Sequence, residues 1–352
     1  MTSRPTFLRR RSRLWIVLGL ALSLAITACG GGTKERLPVP TEWADVVAAA
    51  RTEGEVQLYM SISQEIIDRL TTAFAEKYPE INVDVYRPGS GASAALQERM
   101  QNDRDAGNWI ADSVTLTSPL WLRDAIADGI VATDVALPSA EKWDPAYWKD
   151  GVAVLMPTVL CVIYNTDLVS PEEVPRSWED MADPRWRDRM AVFLPRPDTD
   201  SHTNLYQLYL ENYGESFITR IKDLNPRVWD SATTLAESVA GGESAVGATF
   251  THKAEDLIDS GAPVDYVVLD PAPTFFNSIF VAADAPHPNA ARVFLDFAMS
   301  EEGQLAVAGD RKANSVLDLP GTLEMPESIY VPDIQKAAAN YEPILNLLGR
   351  AR

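Results

Sequence analysis

The chain has 352 residues, with 31 Lys and Arg against 50 Asp and Glu, and a formal net charge of −19. That balance excludes a nucleic-acid binder, which needs a basic face, while an apolar share of 46% is ample for a core. Two cysteines supply neither a disulfide framework nor a cysteine-based metal site.

Arg4, Arg9, Arg10, Arg11 and Arg13 form a basic start without an acid, and Leu14 to Ile26 is an almost unbroken apolar run. Ile26-Thr27-Ala28-Cys29 follows at once. A basic region, a short apolar core and small residues before a cut are the marks of a secretory signal over 1–28. The apolar run is 13 residues, short of the ~20 that a spanning helix needs. The stretch ending at Cys29 resembles the bacterial lipobox, which implies a lipidated Cys29 and a membrane-held, extracytoplasmic protein. Residues 29–40, opening Gly30-Gly31-Gly32-Thr33, read as a flexible tether. Without residues 1–28 the chain keeps 324 residues, and its charge moves from −19 to −24 because that segment carries five Arg. This length predicts two lobes. Cys161 sits inside Val159-Leu160-Cys161-Val162-Ile163 and reads as a buried, inert thiol.

Alternation and apolar periodicity then predict elements. Val56–Met60 is a strand, and Ser61 with Gln64 reads as a capping box opening a helix that stops near Pro79. Ile81–Tyr86 is a second strand, Ala94–Met100 a helix after the turn Pro88–Ser93, and Ile110–Thr117 a third strand. This βαβαβ order predicts an α/β fold with a doubly wound sheet. Val152–Asn165 is too long for an ordinary strand and contains Pro157, so it reads as a crossover between lobes. A second α/β series follows: strands at 190–194, 228–229, 245–249 and 265–269, and helices at 204–213, 234–240 and 254–260. Ser278–Ala282 is the strand returning to the first lobe, and Asn289–Ala298 and Ile334–Leu348 are late helices.

Tyr164-Asn165-Thr166-Asp167-Leu168-Val169, Trp178 to Trp186, Gly242 to Gly247, Pro288 to Ala291 and Ser300-Glu301-Glu302-Gly303-Gln304 occur in an order that resembles one family. It is the type II periplasmic solute-binding proteins of ABC importers, in the branch of the ferric-iron binders. The resemblance implies two α/β lobes joined by crossing strands: lobe I at 41–150 plus 278–318, lobe II at 151–277 plus 319–352. It also implies a monomer with a solute cleft between the lobes, an ABC permease as partner, and no cofactor or catalysis.

Ferric members hold their metal with two adjacent tyrosines after the strand placed at 245–249, where this chain has Phe250-Thr251-His252-Lys253. A histidine common after the first strand is replaced around Ser63, and a carboxylate near the third strand's end is replaced by Thr117. Iron is therefore demoted, with a ferric chelate and a cationic solute such as a polyamine or thiamine left as alternatives. Hydroxyl- and glycine-rich helix starts instead suit a small organic anion, phosphonate or sugar-phosphate-like. The candidate contacts are Ser61, Ser63, Gly89, Ser90, Gly91, Thr117, Ser201, Ser231, Thr233, Thr251 and His252, with Lys253 adding to a cationic wall. Such residues are also the ordinary N-caps of helices.

Three stretches imitate catalytic motifs. Gly89 to Ala94 fits the loose dinucleotide pattern, with Asp112 near the ribose distance. Ser139-Ala140-Glu141-Lys142 fits S-x-x-K, but its companion motifs are absent. A secreted serine hydrolase is the weaker class.

Overall fold

The computed structural model describes residues 41–89, 92–196, 200–309, 313–317 and 319–350, without the side chains of Ala92, Asp200, Ser201 and Ile334. In chain order the elements are α1 (Trp43–Glu53), β1 (Glu55–Tyr59), α2 (Gln64–Lys77), β2 (Asn82–Tyr86), α3 (Ala92–Asp105), β3 (Ser113–Leu116), α4 (Pro119–Ala127), β4 (Trp148–Lys149) and β5 (Val152–Asn165). There follow β6 (Met190–Phe193), α5 (Asp200–Tyr213), α6 (Glu215–Asp223), β7 (Arg227–Trp229), α7 (Ala232–Ala240), β8 (Val246–Phe250), α8 (Thr251–Asp259) and β9 (Val264–Val267). The last are β10 (Ala272–Val281), α9 (Pro288–Met299), α10 (Glu301–Ala308), β11 (Ile329–Tyr330) and α11 (Ile334–Leu347).

One path of paired strands, β2-β1-β3-β10-β5-β8-β6-β7, runs through both lobes. β1 pairs β2 and β3 in parallel, as βαβ units must. β10 is antiparallel to β3, with Ser278 opposite Leu116. In lobe II, β6 is parallel to β7 and β8, while β5 runs antiparallel to β8 and β9.

β5 is the crossover, as its length predicts. Twelve of its 14 residues are buried, as suits a strand covered on both faces, which reads as a continuous apolar run rather than an alternation. β10 crosses beside it. Their register slips where Asn277 faces Met156 and Ser278 faces Val154, leaving Leu155 as an extra residue. Pro157 lies opposite Phe276 at this irregularity, where a missing N–H is tolerated. Asn277 Nδ2 donates to Thr158 Oγ1 at 2.9 Å, so the crossing point is polar inside a buried pair of strands.

Each lobe has its own core. Lobe I packs α1, α2, α9 and α10 on one face of its sheet, through Leu70, Phe74, Phe294 and Phe297. α3 and α4 cover the other face, through Leu96, Met100 and Leu122. Lobe II centres on Trp178, Trp186, Phe193, Tyr209 and Phe217, all essentially solvent-free.

The Ser300–Gln304 stretch acquires a structural reason. Ser300 Oγ caps α10 by accepting from Gly303 N at 3.1 Å. A Cβ on Gly303 would collide with the carbonyl of Phe297. Gln304, 1% exposed, donates from Nε2 to Leu155 O (3.0 Å) and Ala298 O (2.9 Å) and accepts from Ser315 Oγ (2.8 Å). Asn165, in the Tyr164–Val169 stretch, likewise donates to Val239 O at 2.9 Å and accepts from Asp167 N at 3.0 Å.

Candidate functional site

Strand direction fixes where a solute can sit. β10 enters lobe I beside the carboxyl end of β3, and β5 enters lobe II beside the carboxyl end of β8, where Leu160 faces Phe250. The carboxyl ends of β1, β2 and β3 therefore turn toward lobe II, and those of β6, β7 and β8 turn toward lobe I. These are the ends at which open α/β sheets bind ligands.

In lobe I, Ser61 N donates to Thr115 Oγ1 at 2.8 Å, which draws the turn after β1 onto β3. The capping box expected of Ser61 and Gln64 does not form, because the helix begins two residues later, with Ser63 as N-cap. Ser63 makes no cap bond to the backbone. Glu65 is held below the usual carboxylate range first by its own backbone N–H and next by the Ser63 hydroxyl, and the charges of Lys253 and Arg87 add to this. Thr117 is tied to α3, its hydroxyl 3.0 Å from that of Ser93. Gly89 has φ 78° with open space where a Cβ would lie, a backbone that glycine adopts without cost. Ser90, Gly91, the Ser201 side chain and Cys29 lie outside the described residues.

Arg87 was not legible as a candidate site residue. It follows β2 directly, and its Nε donates to Ile62 O at 2.7 Å, bridging the turns after β1 and β2. The one available signal was a cation standing between a strand end and Pro88-Gly89.

In lobe II, Ser231 is an ordinary N-cap, its Oγ accepting from Thr234 N at 3.4 Å, and Thr233 is exposed beside it. Thr251 is buried and donates to Asn314 Oδ1 at 2.9 Å. His252 lies over Phe250, ring centroids 5.6 Å apart and planes 8° from parallel. It is only partly accessible, and burial, with the Lys253 charge adding, pushes its pKa down to about 3. His252 is therefore neutral at physiological pH, and the positive charge of this pair belongs to Lys253, 3.8 Å from Asp256.

The enzyme-like motifs serve the fold. Asp112 is fully buried at the amino end of β3, away from the cleft, and accepts from Gln57 N (2.7 Å), His287 N (2.6 Å) and His287 Nδ1 (2.9 Å). Ser139 N bonds Asp296, and Lys142 is paired with Glu301 at 2.7 Å.

Known proteins agree with this architecture. A Haemophilus influenzae protein described only as uncharacterized is 27% identical over 274 residues, covering 74% of this chain and 77% of its own. Iron-bound HitA of Pseudomonas aeruginosa is similar in structure, with a TM-score of 0.65 and 16% identity over 84% of this chain and 98% of its own. AfuA of Actinobacillus pleuropneumoniae, solved with fructose-6-phosphate, gives 0.61 and 21% over 84% and 97%. A substrate-binding protein of an Agrobacterium tumefaciens ABC transporter gives 0.69 and 18% over 84% and 94%. The profile of the bacterial extracellular solute-binding proteins matches residues 56–309, and the chain belongs to that family.

Proposed function

We propose that this extracytoplasmic solute-binding protein is tethered to the membrane through lipid on Cys29 and captures a small organic anion, phosphonate or sugar-phosphate-like, between its lobes for an ABC permease. The carrying observation is the end of β8. Where iron capture asks for anionic oxygens, it offers Thr251 bonded to Asn314 and a neutral His252 stacked on Phe250. A trivalent cation gains little from such groups, whereas hydroxyls and neutral imidazole suit hydrogen bonding to an organic solute. Arg87 and Lys253, one in each lobe and both acting on Glu65, place positive charge beside the same turns. Hydroxyl-rich turns in both lobes would bond one solute only when the lobes approach, which couples binding to closure.

Thermal shift on the chain from Cys29 onward tests the solute. A phosphonate or sugar phosphate at a hundred times its Kd should add about 2.7 kcal/mol, or roughly 4 °C for a protein of this size. Stabilisation by Fe(III) with none from organic anions would overturn the ordering. The anchor is tested separately by fractionating cells: Cys29→Ser should move the protein from the membrane to the soluble fraction, and an unchanged distribution refutes lipidation.

A further inference from the structure

Beyond α10 the chain passes between the lobes a third time. Ala313 belongs to the core of lobe I, and Tyr330 packs on that of lobe II. Asn314 and Ser315 stand next to each other on this passage, both nearly solvent-free, and bond to different lobes. Asn314 Oδ1 accepts from Thr251 Oγ1 at 2.9 Å, at the first residue of α8 and the cleft end of β8. Its Nδ2 donates to Glu324 O at 2.6 Å, and Leu323 N donates to Ala313 O at 3.0 Å, so the amide is held in place from its own segment. Ser315 Oγ donates to Gln304 Oε1 of α10 at 2.8 Å, and Gln304 Nε2 reaches Leu155 O at 3.0 Å. Leu155 is the extra residue at the register slip of the crossing strands.

The bond between Thr251 and Asn314 borders open space. A cavity of about 640 Å³ lies beside it, walled by Tyr266 and Val268 of β9 and by Leu319, Leu323 and Glu324. Lobe II can therefore shift against this passage without prising apart a close-packed interior, which resists such movement. A hydrogen bond has a narrow range of length and direction, and breaking one between buried groups leaves a donor and an acceptor unsatisfied. Among the lobe arrangements that the cavity permits, the bond thus selects one.

From this juxtaposition we propose that Thr251 and Asn314 form a clasp that holds the two lobes at one separation, and that Ser315 and Gln304 tie the clasp to the crossing strands about which the lobes turn. Thr251 is then a positioning residue: its hydrogen is committed to the other lobe, and its bond sets the resting point of the hinge. The inference rests on the fold and is independent of which solute is carried, so it goes beyond the reading above and stands or falls apart from it.

Single-molecule energy transfer on the full chain carrying Cys29→Ser tests it without any solute. Dyes go on Arg123→Cys and Glu237→Cys, exposed positions about one turn into α4 and α7; Cys161 is buried and stays unlabelled. The labelled parent should show one dominant transfer efficiency. Thr251→Val keeps the shape and loses the hydroxyl, and the ratio of molecules at other efficiencies to the dominant one should rise about tenfold, the effect of one buried hydrogen bond. Asn314→Ala removes the acceptor from the other side and should give the same rise, which keeps the test open should the valine variant not fold. Thr251→Ser keeps the hydroxyl and should stay within about threefold of the parent. Variants that melt lower yet leave the efficiencies unchanged would reduce the bond to plain stability and overturn the clasp. A rise that Thr251→Ser shares in full would overturn it too, because packing rather than the hydroxyl would then set the separation.

Discussion

The neutral His252 makes a prediction with a definite sign. Its pKa falls from 6.5 to about 3 on folding. The unfolded chain therefore binds a proton below pH 6.5 that the folded chain refuses down to about pH 3. Stability from this group is complete above pH 6.5 and is lost as pH falls toward 3. At pH 5.0 the loss is at most about 2 kcal/mol relative to pH 7.5, since one pKa unit corresponds to ~1.4 kcal/mol. Other groups titrate over the same range, so the comparison must be a double difference. Wild type and His252→Gln are each melted at pH 7.5 and pH 5.0. The variant loses the stack on Phe250 at both pH values, which cancels. Its drop in melting temperature between the two pH values should be smaller than that of wild type by up to about 3 °C. Equal drops would show that His252 protonates freely in the folded protein, and the assignment of a neutral wall to the cleft would fail.

Two further outcomes follow from the packing. Gln304→Leu removes three hydrogen bonds, to two carbonyls and from the Ser315 O–H; it should cost about 2–4 kcal/mol, read as a lower denaturant midpoint with an unchanged slope. Gly303→Ala drives a methyl into the carbonyl of Phe297; prying α9 from α10 should cost about 3 kcal/mol, seen as a sharp loss of soluble protein.

Much of the fold could be read because its signals are local. Alternation marks β2, apolar periodicity marks α2, and a 14-residue apolar run containing Pro157 can only be a strand that serves two lobes. The candidate site was less legible because its hydroxyls are committed by contacts remote in sequence. Thr251 bonds Asn314, 63 residues away, and Thr117 bonds Ser93, 24 residues away. No local pattern separates these from Ser231, which is merely a cap. The family stretches worked for reasons invisible in one dimension. Gly303 is required by a carbonyl across a helix corner, and Gln304 by a strand 149 residues earlier.

Charge supplies the discriminating experiment on the solute. From Cys29 onward the chain carries −24, while the turns at the carboxyl ends of the strands hold Arg87 and Lys253 about Glu65. Screening separates the two fields by range. At 0.01 M salt the Debye length is about 30 Å and the whole molecule repels an anion; at 0.15 M it is about 8 Å and only the nearby cations are felt. An anionic solute should therefore associate faster as salt rises over this range, the reverse of the usual steering of opposite charges. Stopped-flow tryptophan fluorescence can follow this, because Trp229 lies at the carboxyl end of β7. A cationic solute gives the opposite slope, attracted by the global charge at low salt and slowed as that field is screened. An association rate that falls with salt refutes the anion reading whatever the affinity, because it reports the sign of the solute rather than the strength of its contacts.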